Sequence, residues 1–88
     1  MPRYFFHVLN ETYYAEDHEG QELADDATAR LQAARTAGEI LTGDLARERD
    51  KVSVTVYVDK ADGTRLMTLP VLAYVSNAEA SQPGGSPA

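Results

Sequence analysis

The sequence predicts an α+β two-layer sandwich: one long helix packed on a small sheet of three or four strands, in the order β-(β)-α-β-β. Three observations predict it. Val52, Val54, Val56 and Val58 alternate with Ser53, Thr55 and Tyr57, the period-two pattern of a half-buried strand. Ala27, Leu31, Ala34, Gly38, Leu41 and Leu45 recur at alternating spacings of four and three, a helical stripe that Ala37 and Ile40 widen. Tyr4 to Leu9 is an unbroken aromatic, β-branched and apolar run, which reads as a strand. At 88 residues the chain has interior for one core only. Residues 1–76 are expected to form that single domain, and 77–88, with almost nothing to bury, a disordered tail.

After the first strand, Asn10-Glu11-Thr12 breaks the run and Tyr13-Tyr14-Ala15 suggests a short strand returning beside it. Asp17-His18-Glu19-Gly20 is a turn, with Gly20 the residue suited to positive φ. Gln21 to Ala24 leads into the helix, with one or two bridging residues. Asp25 or Asp26 supplies the N-cap, its carboxylate accepting from the free amides of the first turn. The register of Leu45 carries the helix past Gly43 to about Glu48, and Arg47 and Arg49 suit the negative end of its dipole. Ala34 and Gly38 are small enough to let the helix approach the sheet closely.

Asp62-Gly63 signals a two-residue type I′ turn. Taken literally it sets Ala61 opposite Thr64, Val58 opposite Met67, Val56 opposite Leu69 and Val54 opposite Val71, placing three apolar pairs on one face. Tyr57, Thr55, Leu66, Thr68 and Pro70 fall on the other. Pro70 suits an edge strand, where a missing amide is tolerated. Two strand orders remain open: the first strand parallel to the Val52 strand through a right-handed crossover, or antiparallel to the Leu66 strand.

The charge of −6 is uneven. Glu11, Glu16, Asp17, Glu19, Glu22, Asp25 and Asp26 fall between residues 11 and 26 with no Lys or Arg, whereas residues 30–65 are nearly balanced. An acidic segment repels phosphate and favours cationic partners, so Glu16, Asp17, Glu19 and Glu22 are the candidate docking surface for a basic protein. With a pI near 4.7, nucleic-acid binding is disfavoured, even though five of the seven aromatics lie in the first 14 residues, as in base-stacking modules. No apolar run reaches membrane-spanning length, and charged Glu11 comes too early for a signal peptide. A cytoplasmic setting is expected.

Cysteine is absent, and with it any thiol nucleophile, disulfide or cysteine metal site. His7 and His18 are the two imidazoles. His18 sits among Glu16, Asp17 and Glu19, but consecutive turn residues do not converge on one ion. No nucleophile elbow or phosphate-binding glycine loop stands in the chain. The expectation is no enzyme, no metal and no cofactor.

Both sides of the first strand are apolar, and one helix covers only one side of the sheet. The uncovered side is expected to carry Phe5, His7, Leu9, Tyr57 and Leu66. A patch of that kind is rarely left bare by a monomer. Homodimerisation through it is the leading reading; cover by the segment around Tyr13 and Tyr14, or by the tail after Val71, is the intramolecular alternative. The expected function is therefore a non-enzymatic interaction module, with small-ligand binding on the same aromatic patch as the alternative.

The opening Pro2-Arg3-Tyr4-Phe5-Phe6-His7-Val8, the turn Asp17 to Gly20 followed by Leu23 and Asp25, the Ala-rich helix, and Asp62-Gly63 through Leu69-Pro70 together resemble a bacterial family of small domains of unknown function. The resemblance covers roughly residues 2–71. It implies the same α+β boundaries and a bacterial cytoplasmic setting, and it brings no catalytic residues.

Overall fold

The alternation of valines and polar residues does produce a strand, and that strand is the centre of the molecule. A computed structural model describes residues 1–47 and 50–76. It comprises β1 (Arg3–Asn10), β2 (Tyr14–Ala15), β3 (Gln21–Glu22), α1 (Asp26–Ala46), β4 (Lys51–Lys60) and β5 (Arg65–Tyr74). The sheet order is β2-β1-β4-β5, with β3 also on β1, and α1 lies across one side. The two-layer α+β arrangement is as expected. The expectation for residues 77–88 lies outside the described residues.

The strand order differs from both alternatives: β1 pairs antiparallel with β4, from Tyr4↔Lys60 to Asn10↔Val54. The reason lies in residues 11–22. β2 pairs with Val8 and Leu9 at the end of β1, and β3 pairs with Arg3 and Tyr4 at its start. The chain has thus returned to the beginning of β1 before the helix starts. A 21-residue helix then climbs about 31 Å alongside the sheet, and β4 comes down beside β1.

Asp25 is the N-cap, its carboxylate accepting from the amide of Thr28 at 2.8 Å and from the Thr28 hydroxyl at 2.7 Å. The helix ends at Ala46, short of the expected Glu48, with Arg47 as C-cap. Its buried residues are Ala29, Ala33 and Ala37, one every fourth position. This corrects the expected stripe: Ala27, Ala34 and Gly38 are exposed and Leu31 is 56% exposed. Alanines face the sheet because Tyr4, Phe6 and the β4 valines already fill that side and leave room only for methyl groups. Gly38 faces open space and eases no contact with the sheet.

Tyr4, Phe6 and Val8 point to the helix, as do the fully buried Val54, Val56 and Val58. The β4–β5 register keeps the expected pairs Val58↔Met67, Val56↔Leu69 and Val54↔Val71. The turn itself is different. Lys60 N–H donates to the Thr64 carbonyl at 2.8 Å, Gly63 N–H donates to the Lys60 carbonyl at 2.9 Å, and Gly63 has φ 89°. That is a three-residue loop with a left-handed glycine rather than a type I′ turn. The register shifts by one beside it, so Asp59 pairs with Arg65. The shift packs Leu66, as well as Met67, against the core, which removes Leu66 from the uncovered face where it was expected.

Candidate functional site

The side of the sheet away from α1 carries Phe5, His7 and Leu9 from β1, then Thr55, Tyr57 and Asp59 from β4, and Arg65, Thr68, Pro70, Leu72 and Tyr74 from β5. Its two halves differ. Near the β4–β5 turn the residues 14–20 fold back over the face; toward the other end it is bare among the described residues.

The covered half is organised by His7, which is 7% exposed. Its Nδ1 accepts from the Asp17 backbone N–H at 3.0 Å, so the ring proton lies on Nε2, 3.3 Å from Asp59 Oδ2. Arg65 holds the same carboxylate with two nitrogens, at 2.7 and 3.2 Å, and lies 4.7 Å over the Tyr57 ring. Tyr14 sits between His7 and Tyr57, with ring centres 6.3 and 6.5 Å away. The hydrogen bond from Arg65 lowers the Asp59 pKa against the effect of burial.

Asp17 fastens the fold-back segment. Its carboxylate accepts from the amides of Phe6 at 3.0 Å, Glu19 at 3.1 Å and Gly20 at 3.0 Å. Burial pushes its pKa up, but the amides of Gly20, Phe6 and Glu19 outweigh that and hold it below the usual carboxylate value. Gly20, at φ 74°, lets the chain pass within van der Waals reach of Phe5; a Cβ there would lie 2.8 Å from the Tyr4 carbonyl oxygen.

The predicted residues therefore divide. His7 is buried, Phe5 and Tyr57 are half-buried, and Leu9 remains 39% exposed. Of the acidic set, Asp17 is spent on backbone amides and Glu22 pairs with Arg3 at 3.3 Å. Glu16 and Glu19 stay exposed, and the Glu19 carbonyl accepts from Arg3 Nη1 at 2.7 Å. His18 is exposed in the turn. Sequence reading missed Leu72, 56% exposed, and Tyr74, 69% exposed. Both continue the alternation of Thr68 and Pro70, which was the available signal.

The bare half thus presents Pro70, Leu72 and Tyr74 along β5, linked through Thr55 to Leu9. Pro70 is paired with Thr55 on a strand whose other edge has no partner strand among the described residues. Across the sheet, Tyr4 is 1% exposed and donates its hydroxyl to Asp26 Oδ1 at 2.7 Å, which lifts its pKa to about 12. A cleft of about 250 Å³ between the β1–β2 turn and the end of α1 is lined by Asn10, Glu11, Thr12, Tyr13, Asp44 and Arg47. It is smaller than typical small-molecule sites. Among the described residues, no three His, Asp or Glu side chains converge as metal ligands, and no helix is long and apolar enough to cross a membrane.

The model of a domain of unknown function, DUF6894, matches residues 3–73. The chain belongs to the DUF6894 family. The match runs from the first residue of β1 to Ala73, one residue short of the end of β5, so every element described above lies within or across it. No curated protein and no solved structure matches the chain.

Proposed function

We propose that this DUF6894 domain is a non-enzymatic interaction module that self-associates through the bare half of its sheet. The observation that supports the reading is the exposed row of Pro70, Leu72 and Tyr74 along β5, with exposed Leu9 two strands away across Thr55, on a face that the fold-back segment leaves half covered. Contiguous apolar area of this kind marks contact surfaces. Pro70 also argues for the mode of contact. Lacking an N–H, it interrupts the free edge of β5, so a second chain gains little by extending the sheet. Packing face against face uses the side chains instead. A two-fold axis is the default for such a surface, since one patch then serves both copies.

Light scattering after size exclusion tests the reading at micromolar concentration. The native chain is expected at twice its own mass or more. Leu72→Lys combined with Tyr74→Lys is expected at a smaller mass with unchanged far-ultraviolet circular dichroism. A native chain of single mass, or a variant as large as the native protein, defeats the proposal.

A further inference from the structure

Residues 14–20 lie over the sheet with little apolar anchorage: Tyr14, Ala15, Glu16, His18 and Glu19 are exposed, and Asp17 and Gly20 are half-buried. Between β2 and β3 the segment is tied to β1 by polar contacts instead. The Asp17 N–H donates to His7 Nδ1 at 3.0 Å, the Asp17 carboxylate accepts from the Phe6 amide at 3.0 Å, and the Glu19 carbonyl accepts from Arg3 at 2.7 Å. A segment held this way opens at lower cost than the core beneath it. The first of these contacts depends on the charge of the ring. A backbone amide only donates, so Nδ1 must be bare to accept from it. An imidazolium, with a proton on each nitrogen, offers no lone pair.

We propose that His7 is a proton-operated latch on the fold-back segment, closed on the neutral ring and loosened when Nδ1 takes a proton. The groups that face the ring fix the direction. From β4, Asp59 stands 3.3 Å from Nε2 and Tyr57 lies opposite in register; from β5, Arg65 shares the Asp59 carboxylate; from the fold-back segment come Tyr14 and Asp17. Asp59 accepts from Nε2 whether the ring is neutral or charged, so it keeps an imidazolium in place after the segment lifts. The Asp17 carboxylate also attracts a charged ring, but its oxygens already accept from Phe6, Glu19 and Gly20. It reaches Nδ1 only by giving up amides that shape the turn. Either response to the proton undoes the closed arrangement. The closed state therefore binds one proton fewer at this ring than the open state, and opening gains as pH falls. Histidine ordinarily changes charge between about pH 5 and 8, where Asp17 and Asp59, both held low, stay ionised. Opening uncovers Phe5, His7 and Tyr57, which widens the bare part of the sheet face. The latch itself does not depend on whether copies of the chain associate there.

Hydrogen-exchange NMR on the native chain tests the latch. After correction for intrinsic exchange, protection of the Asp17 amide is expected to fall at least about tenfold from pH 8 to pH 5, the scale of one lost hydrogen bond. The Val56 and Val58 amides of the central strand should keep theirs. In the same samples the ring-nitrogen chemical shifts of His7 are expected to show Nδ1 bare at pH 8 and protonated with the midpoint of that fall. His7→Asn sets a carboxamide oxygen near the place of Nδ1 and does not titrate. It is expected to flatten the profile, which also separates His7 from His18, exposed in the same turn. Protection that is flat or rises toward acid, an Nδ1 midpoint apart from the fall, or a fall that survives His7→Asn overturns the inference. If that variant does not fold, the Nδ1 midpoint in the native chain decides. Tenfold dilution separates the latch from self-association. If dilution alone changes Asp17 protection, the fall belongs to contact between copies and the latch is overturned, whereas the mass test of the sheet face is untouched by either result.

Discussion

The backbone amide of Asp17 donates to Nδ1 of His7 at 3.0 Å, while the opposite ring nitrogen faces Asp59 at 3.3 Å. One imidazole therefore joins three separate parts of the chain: the first strand, the fold-back segment and the central strand. Replacing His7 by Leu leaves the Asp17 amide without its acceptor and Asp59 with Arg65 alone. Such a loss costs about 1–3 kcal/mol, measured as a drop in unfolding free energy in urea. Amide exchange of Asp17 is expected to rise well before global unfolding.

Asp17 makes stability depend on acid. Its folded pKa lies below the ordinary carboxylate value, so its contribution is complete above about pH 4 and fades as pH falls further toward the folded value. Asp59, held low by Arg65, acts in the same direction. Thermal melts of the native chain are expected to lose ground below pH 4. Asp17→Asn should be less stable at pH 7 by about 1–3 kcal/mol, because an amide cannot accept from all three backbone groups. It should also show a shallower decline in acid, and an unchanged acid profile would count against the assignment.

At the alkaline end the marker is Tyr4. Its pKa is raised from 10 to about 12, so the hydrogen bond to Asp26 contributes fully below pH 10 and is lost as pH climbs through about 12. Tyrosinate absorbance is expected to show a late step, and Tyr4→Phe should remove it.

Two glycines make opposite predictions. Gly20→Ala places a Cβ against the Tyr4 carbonyl at a left-handed φ, and loses stability by about 2 kcal/mol or more. Gly38→Ala puts a methyl group into open space on a helix and gains about 1 kcal/mol. Chemical denaturation of the two variants side by side reads the contrast.

The helix offers a third contrast. Ala33 is fully buried, and Ala33→Leu overpacks the layer between α1 and β4 at a cost of about 1–3 kcal/mol. Ala46→Leu, exposed at the end of the same helix, stays within about 0.5 kcal/mol.

What could be read from the residues depended on whether a rule was local. The valine alternation, an aspartate cap at residue 25 or 26, the left-handed Gly20 and the pairing of Val56 with Leu69 each follow from a few neighbouring side chains, and each is present, the cap being Asp25. The strand order was not legible because it turns on β2 and β3, two residues apiece, too short to leave a periodic trace. The helix was misread because both of its apolar arcs satisfy the same period. Only the space left beneath it by Tyr4 and Phe6 selects the alanines. At the candidate site the apolar residues of β1 and Tyr57 were evident, but the half that stays bare was not. The fold-back segment decides that, and its anchor, Asp17, looked like one more surface acid.

The position of β1 between β4 and the two short strands also bears on biosynthesis. β1 is synthesised more than 40 residues before β4, so its long flank waits for β4 before it is satisfied. Until then Phe6 and Val8 have no valines to rest on. β2 and β3 lie close enough in sequence to close on β1 early, but the apolar side of β1 is covered only once Val54, Val56 and Val58 have been made.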